Sequence, residues 1–369
     1  MKNETVSQLL GEKVEQGLFP SAVYLVAQKE KVMFADAVGF AVVEPERIPA
    51  GLDTIYDLAS LTKPLVVGLI CAKLLERGEI SLEDSLAKYF PEFIEKRKIS
   101  VKNLLVHDSG LPDWMPFYLL VKSREEILSF IASVSVESLP GEKVIYSDLN
   151  FLILTFLLEK IFGADLDKIA ENEIFKPLNL NKTFYNPPKS LLKGIAASEK
   201  GNEYEKSVCL ERGYSVDKVQ WRDYIIWGEV HDGNCWFMGG VSGHSGLFSN
   251  VEDTFVLARQ FLQDRTTLLK PETCAKFCEN FTRGLNEARS LGFQLAETPN
   301  STASGTLSKN SFGHLGFTGT SLWIEPETER IFLLFTNRTH ACKPPFVNIN
   351  AVRREFHKLA VEILNYVGN

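Results

Sequence analysis

The hydrophobic and polar positions divide the chain into strand-like ends and a helical middle. Apolar and β-branched side chains are concentrated at residues 21–28 and 32–40, which predicts two strands joined as a hairpin. Residues 320–325 and 330–336 repeat this pattern late in the chain, on either side of a turn-prone Pro-Glu-Thr-Glu segment. Each end of the chain therefore supplies a predicted pair of strands.

Between these ends, apolar residues recur every three or four positions, which is the spacing of helices that bury one face. Amphipathic segments near residues 6–18 and 349–367 also predict a helix close to each terminus. Two segments rich in Pro, Gly, Ser and Asn, at 185–206 and 298–311, are predicted surface loops. The predicted internal helices cover residues 61–77, 101–106, 124–132, 149–162 and 254–264.

This order of elements predicts an α+β fold. An antiparallel sheet is flanked by the terminal helices, and a mainly helical domain is inserted into it. We assign residues 1–58 and 245–369 to a discontinuous sheet domain and residues 59–244 to the helical domain. The active site is expected at the interface between the two.

Composition narrows the possible partners and compartment. The 369 residues include 40 basic and 47 acidic side chains, a net charge of −7, so we predict no nucleic-acid partner. The apolar segments of the chain are shorter than the roughly 20 residues that a membrane span requires. The first residues lack the apolar run of a secretory signal, so we expect a cytoplasmic protein. The six cysteines show no zinc-site spacing, so we predict no metal.

The first candidate for chemistry is Ser60-Leu61-Thr62-Lys63. Three residues apart on a helix, a hydroxyl and an amine lie close enough to share a proton, which is how serine nucleophiles are activated. Pro64 is tolerated only in a first helical turn, so the helix should begin no earlier than about Ser60. The same Ser-x-x-Lys pattern occurs at Ser85 and Ser190, so the motif alone is also compatible with an ordinary N-cap serine.

The second candidate is Tyr146-Ser147-Asp148, which follows a Pro-Gly turn and precedes an apolar helix. A tyrosine beside a cationic lysine loses its proton more easily and can pass a proton between a serine and a leaving group. The alternative is that Asp148 caps the helix and Tyr146 only packs.

The third candidate is His314-Leu315-Gly316, which enters the late strand region. Glycine at 316 allows a substrate to approach the backbone, and an edge strand there can offer the Phe317 N–H to an oxyanion. His-x-Gly also occurs at His231 and His244, so this triplet is weak by itself. His231 or Asp232 could line the cleft, since a His beside an acid in a Gly-flanked loop is chemically suitable, but we interpret them as a structural pair. We interpret His107 as a brace for the turn before Ser109.

With these three motifs in this order, the chain resembles the serine β-lactamase and penicillin-binding-protein superfamily. The resemblance is to its class C-like group, which includes esterases, D-amino-acid peptidases and carboxypeptidases, and it runs from about residue 19 to residue 363. Supporting segments are residues 53–59, 104–112, 239–249 and 313–321.

The resemblance implies that Ser60 is the acylated nucleophile, Lys63 its base partner and Tyr146 a second proton-transfer group. The N–H groups of Ser60 and Phe317 would form the oxyanion hole. Two residues depart from the family pattern. The second motif of the family often ends in Asn, where this chain has Asp148. The charge of Asp148 would stabilise protonated Lys63 and weaken it as a base. His314 replaces a lysine of the lactamases and is largely neutral near pH 7, which predicts weaker binding of a substrate carboxylate.

The sequence therefore predicts a serine hydrolase that works through an acyl-enzyme on a small-molecule or short-peptide ester or amide, without metal or organic cofactor. We expect an esterase or D-amino-acid peptidase with weak or no β-lactamase activity. Efficient β-lactamase, penicillin-binding and non-catalytic receptor functions are the alternatives. The main base among Lys63 and Tyr146, the roles of His231, Asp232 and His244, and the oligomeric state stay open.

Overall fold

A computed structural model describes residues 1–367. Its main sheet has seven strands in the order β3-β2-β1-β10-β9-β8-β7, and β4, β6 and β5 form a smaller sheet. All the strand pairs are antiparallel. The strands are β1 (Ser21–Gln28), β2 (Lys31–Val42), β3 (Ile48–Pro49), β4 (Tyr56–Asp57), β5 (Phe184–Tyr185), β6 (Leu247–Ser249), β7 (Gln294–Leu295), β8 (Phe312–Leu315), β9 (Ser321–Glu325) and β10 (Arg330–Thr336).

The α-helices lie at both termini and in the long segment between the two strand groups. They are α1 (Glu4–Glu15), α2 (Leu69–Arg77), α3 (Leu86–Tyr89), α4 (Val101–Leu105), α5 (Phe117–Leu120), α6 (Glu126–Ser133), α7 (Asp148–Phe162), α8 (Leu166–Ala170), α9 (Glu203–Glu211), α10 (Gly233–Phe237), α11 (Val251–Ala258), α12 (Pro271–Ala275) and α13 (Asn350–Val367).

Strand β1 joins the two ends of the chain because it pairs with β2 on one side and β10 on the other. Its side chains alternate between the faces of the sheet, as the two-residue period of a strand requires. Tyr24 and Val26 pack with Phe356 of α13 and Val6 of α1, whereas Leu25 belongs to the larger core of the helical segment. Burial on both faces explains why this strand is apolar almost throughout.

The predicted α+β fold and both predicted strand pairs are confirmed. The two predicted surface loops are wrong in part: residues 195–199 are buried, α9 begins at Glu203, and Ala303 and Ser311 are buried beside the sheet. The polar composition of these segments predicted exposure, but their polar groups can be buried because backbone and hydroxyl hydrogen bonds satisfy them. The division into domains at residues 58/59 and 244/245 stays a prediction. Within residues 1–367, none of the helices combines the length and apolarity of a bilayer span.

Candidate active site

Ser60 and Lys63 lie where the chain leaves β4 and enters a central helix. Ala59–Leu61 form one turn of 3-10 helix, and Lys63–Gly68 form a π-helix that continues into α2. The Nζ of Lys63 lies 3.0 Å from the Oγ of Ser60. Ser60 is partly exposed in a cleft, whereas Lys63 is completely buried. The structure thus brings together the hydroxyl and the amine that the sequence singled out.

Lys63 is held as a cation by its surroundings. Its Nζ lies 2.7 Å from an Asp148 carboxylate oxygen and donates to the His244 carbonyl oxygen at 3.0 Å. Burial by itself lowers the pKa of Lys63, but the charge of Asp148 and the nearby Tyr146 outweigh it and raise the pKa above its usual 10.5. This direction agrees with the expectation that Asp148 weakens Lys63 as a base.

Tyr146 lies between two cations. The Lys63 Nζ is 5.0 Å from the centroid of its ring, and the guanidinium carbon of Arg289 is 5.3 Å from the same centroid. The phenol oxygen is buried and accepts no hydrogen bond of good geometry from residues 1–367. A polar atom left in this state beside the cleft is available to a reacting group.

His107 supports the Tyr146 segment, which differs from its predicted role in the turn before Ser109. Its Nδ1 accepts a hydrogen bond of 3.0 Å from the Ser147 N–H, and its ring centroid lies 4.6 Å from that of Tyr146. Burial, together with the charges of Arg289 and Lys63, holds its pKa well below 6.5. His107 is therefore a neutral ring that packs against the phenol.

The third motif is tied directly to the segment that carries Ser60. The Thr318 hydroxyl donates to the Asp57 carbonyl oxygen at 2.7 Å, and the Thr320 hydroxyl donates to the Leu58 carbonyl oxygen at 3.0 Å. A Cβ on Gly316 would lie 2.0 Å from the Thr320 Oγ1 and 2.6 Å from the Leu58 oxygen. Only glycine fits here, because the end of β8 lies against the serine loop.

His314 is a neutral imidazole at the edge of the cleft. Its Nδ1 lies 3.0 Å from the Leu315 carbonyl oxygen, so Nδ1 carries the proton and Nε2 keeps its lone pair. Burial, with Lys63 and Arg289 nearby, holds its pKa well below 6.5. Its ring centroid is 5.7 Å from that of Tyr146. The lowered pKa of His314 agrees with the prediction that this side chain carries no permanent charge.

Ser60, Tyr146, Asp148 and residues 314–316 line one cleft with a volume of about 670 Å³, and Lys63 lies buried beneath it. It also contains charged side chains that the sequence analysis did not single out, among them Glu205, Arg212, Arg289, Arg338 and Arg353. None of them belongs to a recognisable motif, and each comes from a segment far in sequence from Ser60. For this reason nothing in the sequence indicated that Arg289 lines the cleft. In the structure Arg289 is 5% exposed and bonded to Glu287.

The predicted pairing of His231 with Asp232 is wrong, because each has another partner. The His231 Nε2 lies 2.8 Å from a Glu199 carboxylate oxygen, and the His244 Nε2 lies 2.9 Å from the Asp232 Oδ1. Asp232 also accepts the Cys235 N–H and caps α10, and both residues line the cleft.

Asp232, His244 and Asp148 offer possible metal-ligand atoms within 4.8 Å of one another. Asp148 is already bonded to Lys63 and Asp232 to His244, so this cluster has partners without an added ion.

The two other Ser-x-x-Lys segments have ordinary structural positions. The Ser85 hydroxyl accepts from the Ala87 N–H and caps α3, while Lys88 pairs with Asp84 at 2.8 Å. Ser190 lies in a short 3-10 segment, and Lys193 pairs with Glu46 on the surface. Surroundings therefore distinguish Ser60 where spacing does not.

Comparisons with known proteins agree with this geometry. A protein of Escherichia coli K12 named "Putative D-alanyl-D-alanine carboxypeptidase" is 31% identical over 368 residues, covering 90% of this chain and 81% of that protein. A Salmonella typhimurium protein of the same name is 32% identical, with 90% and 82% coverage.

Solved structures show the same fold at lower identity. The hydrolase EstCE1, described as having promiscuous acyltransferase activity, has a TM-score of 0.74 and 18% identity, covering 96% of this chain and 98% of that one. A class C β-lactamase from Rhodobacter sphaeroides has a TM-score of 0.74 and 17% identity, with 98% and 100% coverage. The model of the β-lactamase family matches residues 6–353, and the chain belongs to that family.

Proposed function

We propose that the protein is a serine hydrolase that forms an acyl-enzyme on Ser60 with an ester or amide substrate. The observation that carries this proposal is the 3.0 Å contact between the Ser60 Oγ and the Lys63 Nζ at a cleft wall. A serine bonded to a buried amine in a substrate-sized cleft has the arrangement of an activated nucleophile.

Proton transfer is assigned mainly to Tyr146. Because Lys63 is an ammonium ion, its role is to stabilise negative charge on Ser60 and on the phenol. Tyr146 takes the Ser60 proton while Oγ bonds to the substrate carbonyl carbon. When the tetrahedral intermediate collapses, the proton passes to the departing alcohol or amine. In deacylation a water attacks the acyl group, Tyr146 takes its proton, and Ser60 recovers one on release of the acid.

The oxyanion is assigned to two backbone N–H groups. Ser60 lies in the first turn of a short helix, where N–H groups have no acceptor within the helix. The Phe317 N–H follows the β8 strand, which hydrogen bonds from Thr318 and Thr320 fix against the serine loop. Two donors from rigid segments suit the charge that develops on a carbonyl oxygen.

Neutral esters and amides are the preferred substrate class, with weak or no β-lactamase activity. The support is His314, which contributes no charge where lactamases carry lysine. D-alanyl-D-alanine carboxypeptidase is the second candidate, because the curated relatives bear that name at over 30% identity.

Substitution of the nucleophile tests the proposal. Ser60→Ala should reduce turnover of p-nitrophenyl acetate to background while the circular dichroism spectrum and the melting temperature are retained. Ser85→Ala, which alters an equivalent motif on the surface, is the matched control and should keep full activity. Mass spectrometry after treatment with a serine-reactive phosphonate should show one adduct on Ser60. A wild-type protein without adduct and without turnover would instead support the receptor alternative.

A further inference from the structure

Asp57 is a buried acidic residue at the end of β4, three positions before Ser60. It is 6% exposed at the wall of the cleft, and the proposed reaction does not use it. Both of its carboxylate oxygens accept backbone N–H groups: Oδ1 from Ala59 and Oδ2 from His231, each at 2.8 Å. A buried carboxylate depends on such bonds to offset the loss of water.

The first of these bonds holds the backbone just before the nucleophile. Ala59 has a φ of +47°, in the left-handed region that residues with a Cβ rarely adopt. The Asp57 Oδ1 accepts the N–H two residues further on, which is the hydrogen bond of an Asx-turn and holds Ala59 in place. The Ser60 N–H lies in the peptide plane between Ala59 and Ser60, so the backbone angles of Ala59 set its direction.

The second bond leads to the other donor of the oxyanion hole. The Asp57 Oδ2 fixes the backbone of His231, and the His231 imidazole is stacked on the Phe317 ring, with the centroids 5.5 Å apart and an interplanar angle of 21°. Glu199 holds the imidazole by its Nε2 at 2.8 Å. Among residues 1–367, the Phe317 N–H has no hydrogen-bond acceptor of its own. It is therefore free to donate to a substrate oxygen.

The backbone of Asp57 is tied to the same region. Its carbonyl oxygen accepts a hydrogen bond of 2.7 Å from the hydroxyl of Thr318, the residue after Phe317. The neighbouring carboxylate, Asp232, is directed instead to His244 and to the Cys235 N–H. Asp57 is thus the acidic residue whose bonds reach both the Ser60 segment and the Phe317 segment.

We propose that Asp57 is the positioning residue of the oxyanion hole. One carboxylate oxygen acts on the Ser60 N–H through Ala59, and the other acts on the Phe317 N–H through His231. Asp57 itself touches no substrate atom in this role. The inference rests on the proposed serine hydrolase function, in which these two N–H groups receive the substrate carbonyl oxygen.

Asp57→Asn tests this role because an amide keeps the shape of the side chain but replaces one acceptor oxygen by an N–H donor. The variant should lower kcat for p-nitrophenyl acetate about 100-fold and leave KM within threefold. Burial raises the pKa of Asp57, so a neutral side chain at this depth should leave the fold intact. Asp53→Asn, an exposed carboxylate four residues earlier, is the matched control and should change neither constant.

A sulfur-containing substrate distinguishes positioning from a general structural role. In p-nitrophenyl thionoacetate the carbonyl oxygen is replaced by sulfur, which is larger and a weak hydrogen-bond acceptor, so it gains little from the oxyanion hole. Relative to their rates in alkali, the wild type should prefer the oxygen ester at least 100-fold in kcat/KM. This preference should fall at least tenfold in Asp57→Asn. The ratio is independent of the folded fraction, because both esters meet the same active protein.

A second variant guards against loss of folding. Asp57→Ser keeps a hydroxyl near the Ala59 N–H but is too short to reach His231, so it should also lower the preference for the oxygen ester. A wild type without that preference, or variants in which both esters slow equally or neither slows, would refute the role of Asp57 and leave the hydrolase standing. If the wild type hydrolyses neither ester and no adduct forms on Ser60, the proposed function itself fails.

Discussion

The buried carboxyl of Glu205, which lies in α9 and lines the cleft, should make the stability of the protein depend on pH in a defined direction. The unfolded-state pKa is near 4.5 and the folded-state pKa is about 7, raised by burial and by Asp232 against the opposing effects of His231 and Arg222. The folded protein therefore binds this proton more tightly than the unfolded chain. The contribution of this group to the free energy of unfolding is fully present below pH 4.5 and is lost as pH rises through 7, in total about 3 kcal/mol.

Glu205→Gln removes this titration, so the variant should gain on the wild type as pH rises from 5 to 8. For a chain of 369 residues, unfolding entropy of about 2 cal/mol/K per residue makes 3 kcal/mol equivalent to about 4 °C in melting temperature. Differential scanning calorimetry at half-unit pH steps measures the difference between the two proteins, with Glu203→Gln, an exposed position in the same helix, as control. A difference that is constant with pH, or that moves in the opposite direction, would refute the raised pKa of Glu205.

Two further substitutions test the remaining geometry. Asp148→Asn removes the charge that counteracts the effect of burial on the pKa of Lys63, so that pKa should fall. The pH profile of ester hydrolysis should then move to lower pH by about one unit. An unchanged profile would contradict the pairing of Lys63 with Asp148. Gly316→Ala places a Cβ 2.6 Å from the Leu58 carbonyl oxygen and should displace the Phe317 N–H, lowering kcat for p-nitrophenyl acetate about 100-fold. Gly11→Ala has open space around its Cβ and should keep full activity.

The sequence predicted best the features that depend on short-range spacing. Ser60 and Lys63 are three residues apart in a helical turn, and their contact follows from local geometry. Strands β1 and β10 were visible because each is apolar on both faces. What brings the motifs together is long-range: Thr318 and Thr320 bond to residues more than 250 positions earlier, and no periodicity in the sequence encodes that register.

Isolated charged side chains could not be assigned in the same way. Glu205 and Arg289 are single ionisable residues in segments without a motif, and most such residues lie on the surface. Only the packing of Gly233 against Glu205, and of Tyr146 against Arg289, shows that both face the cleft. His231 was misassigned for a related reason. Adjacency to Asp232 in sequence suggested a pair, but the two side chains have different partners, and the His231 Nε2 contacts Glu199 at 2.8 Å.

The cations of the cleft explain why a neutral substrate group fits beside His314. Lys63 is neutralised by Asp148 and Arg289 by Glu287, at 2.7 and 2.6 Å. Arg338 and Arg353 direct their N–H groups to backbone carbonyl oxygens, and burial together with Arg338 lowers the pKa of Arg353 to about 9.

A carboxylate on the leaving group would have to draw these N–H groups away from partners they already hold, which costs affinity. The cost of breaking these hydrogen bonds therefore offsets part of the attraction that Arg338 and Arg353, which have no carboxylate partner in the described part of the chain, exert on an anionic leaving group.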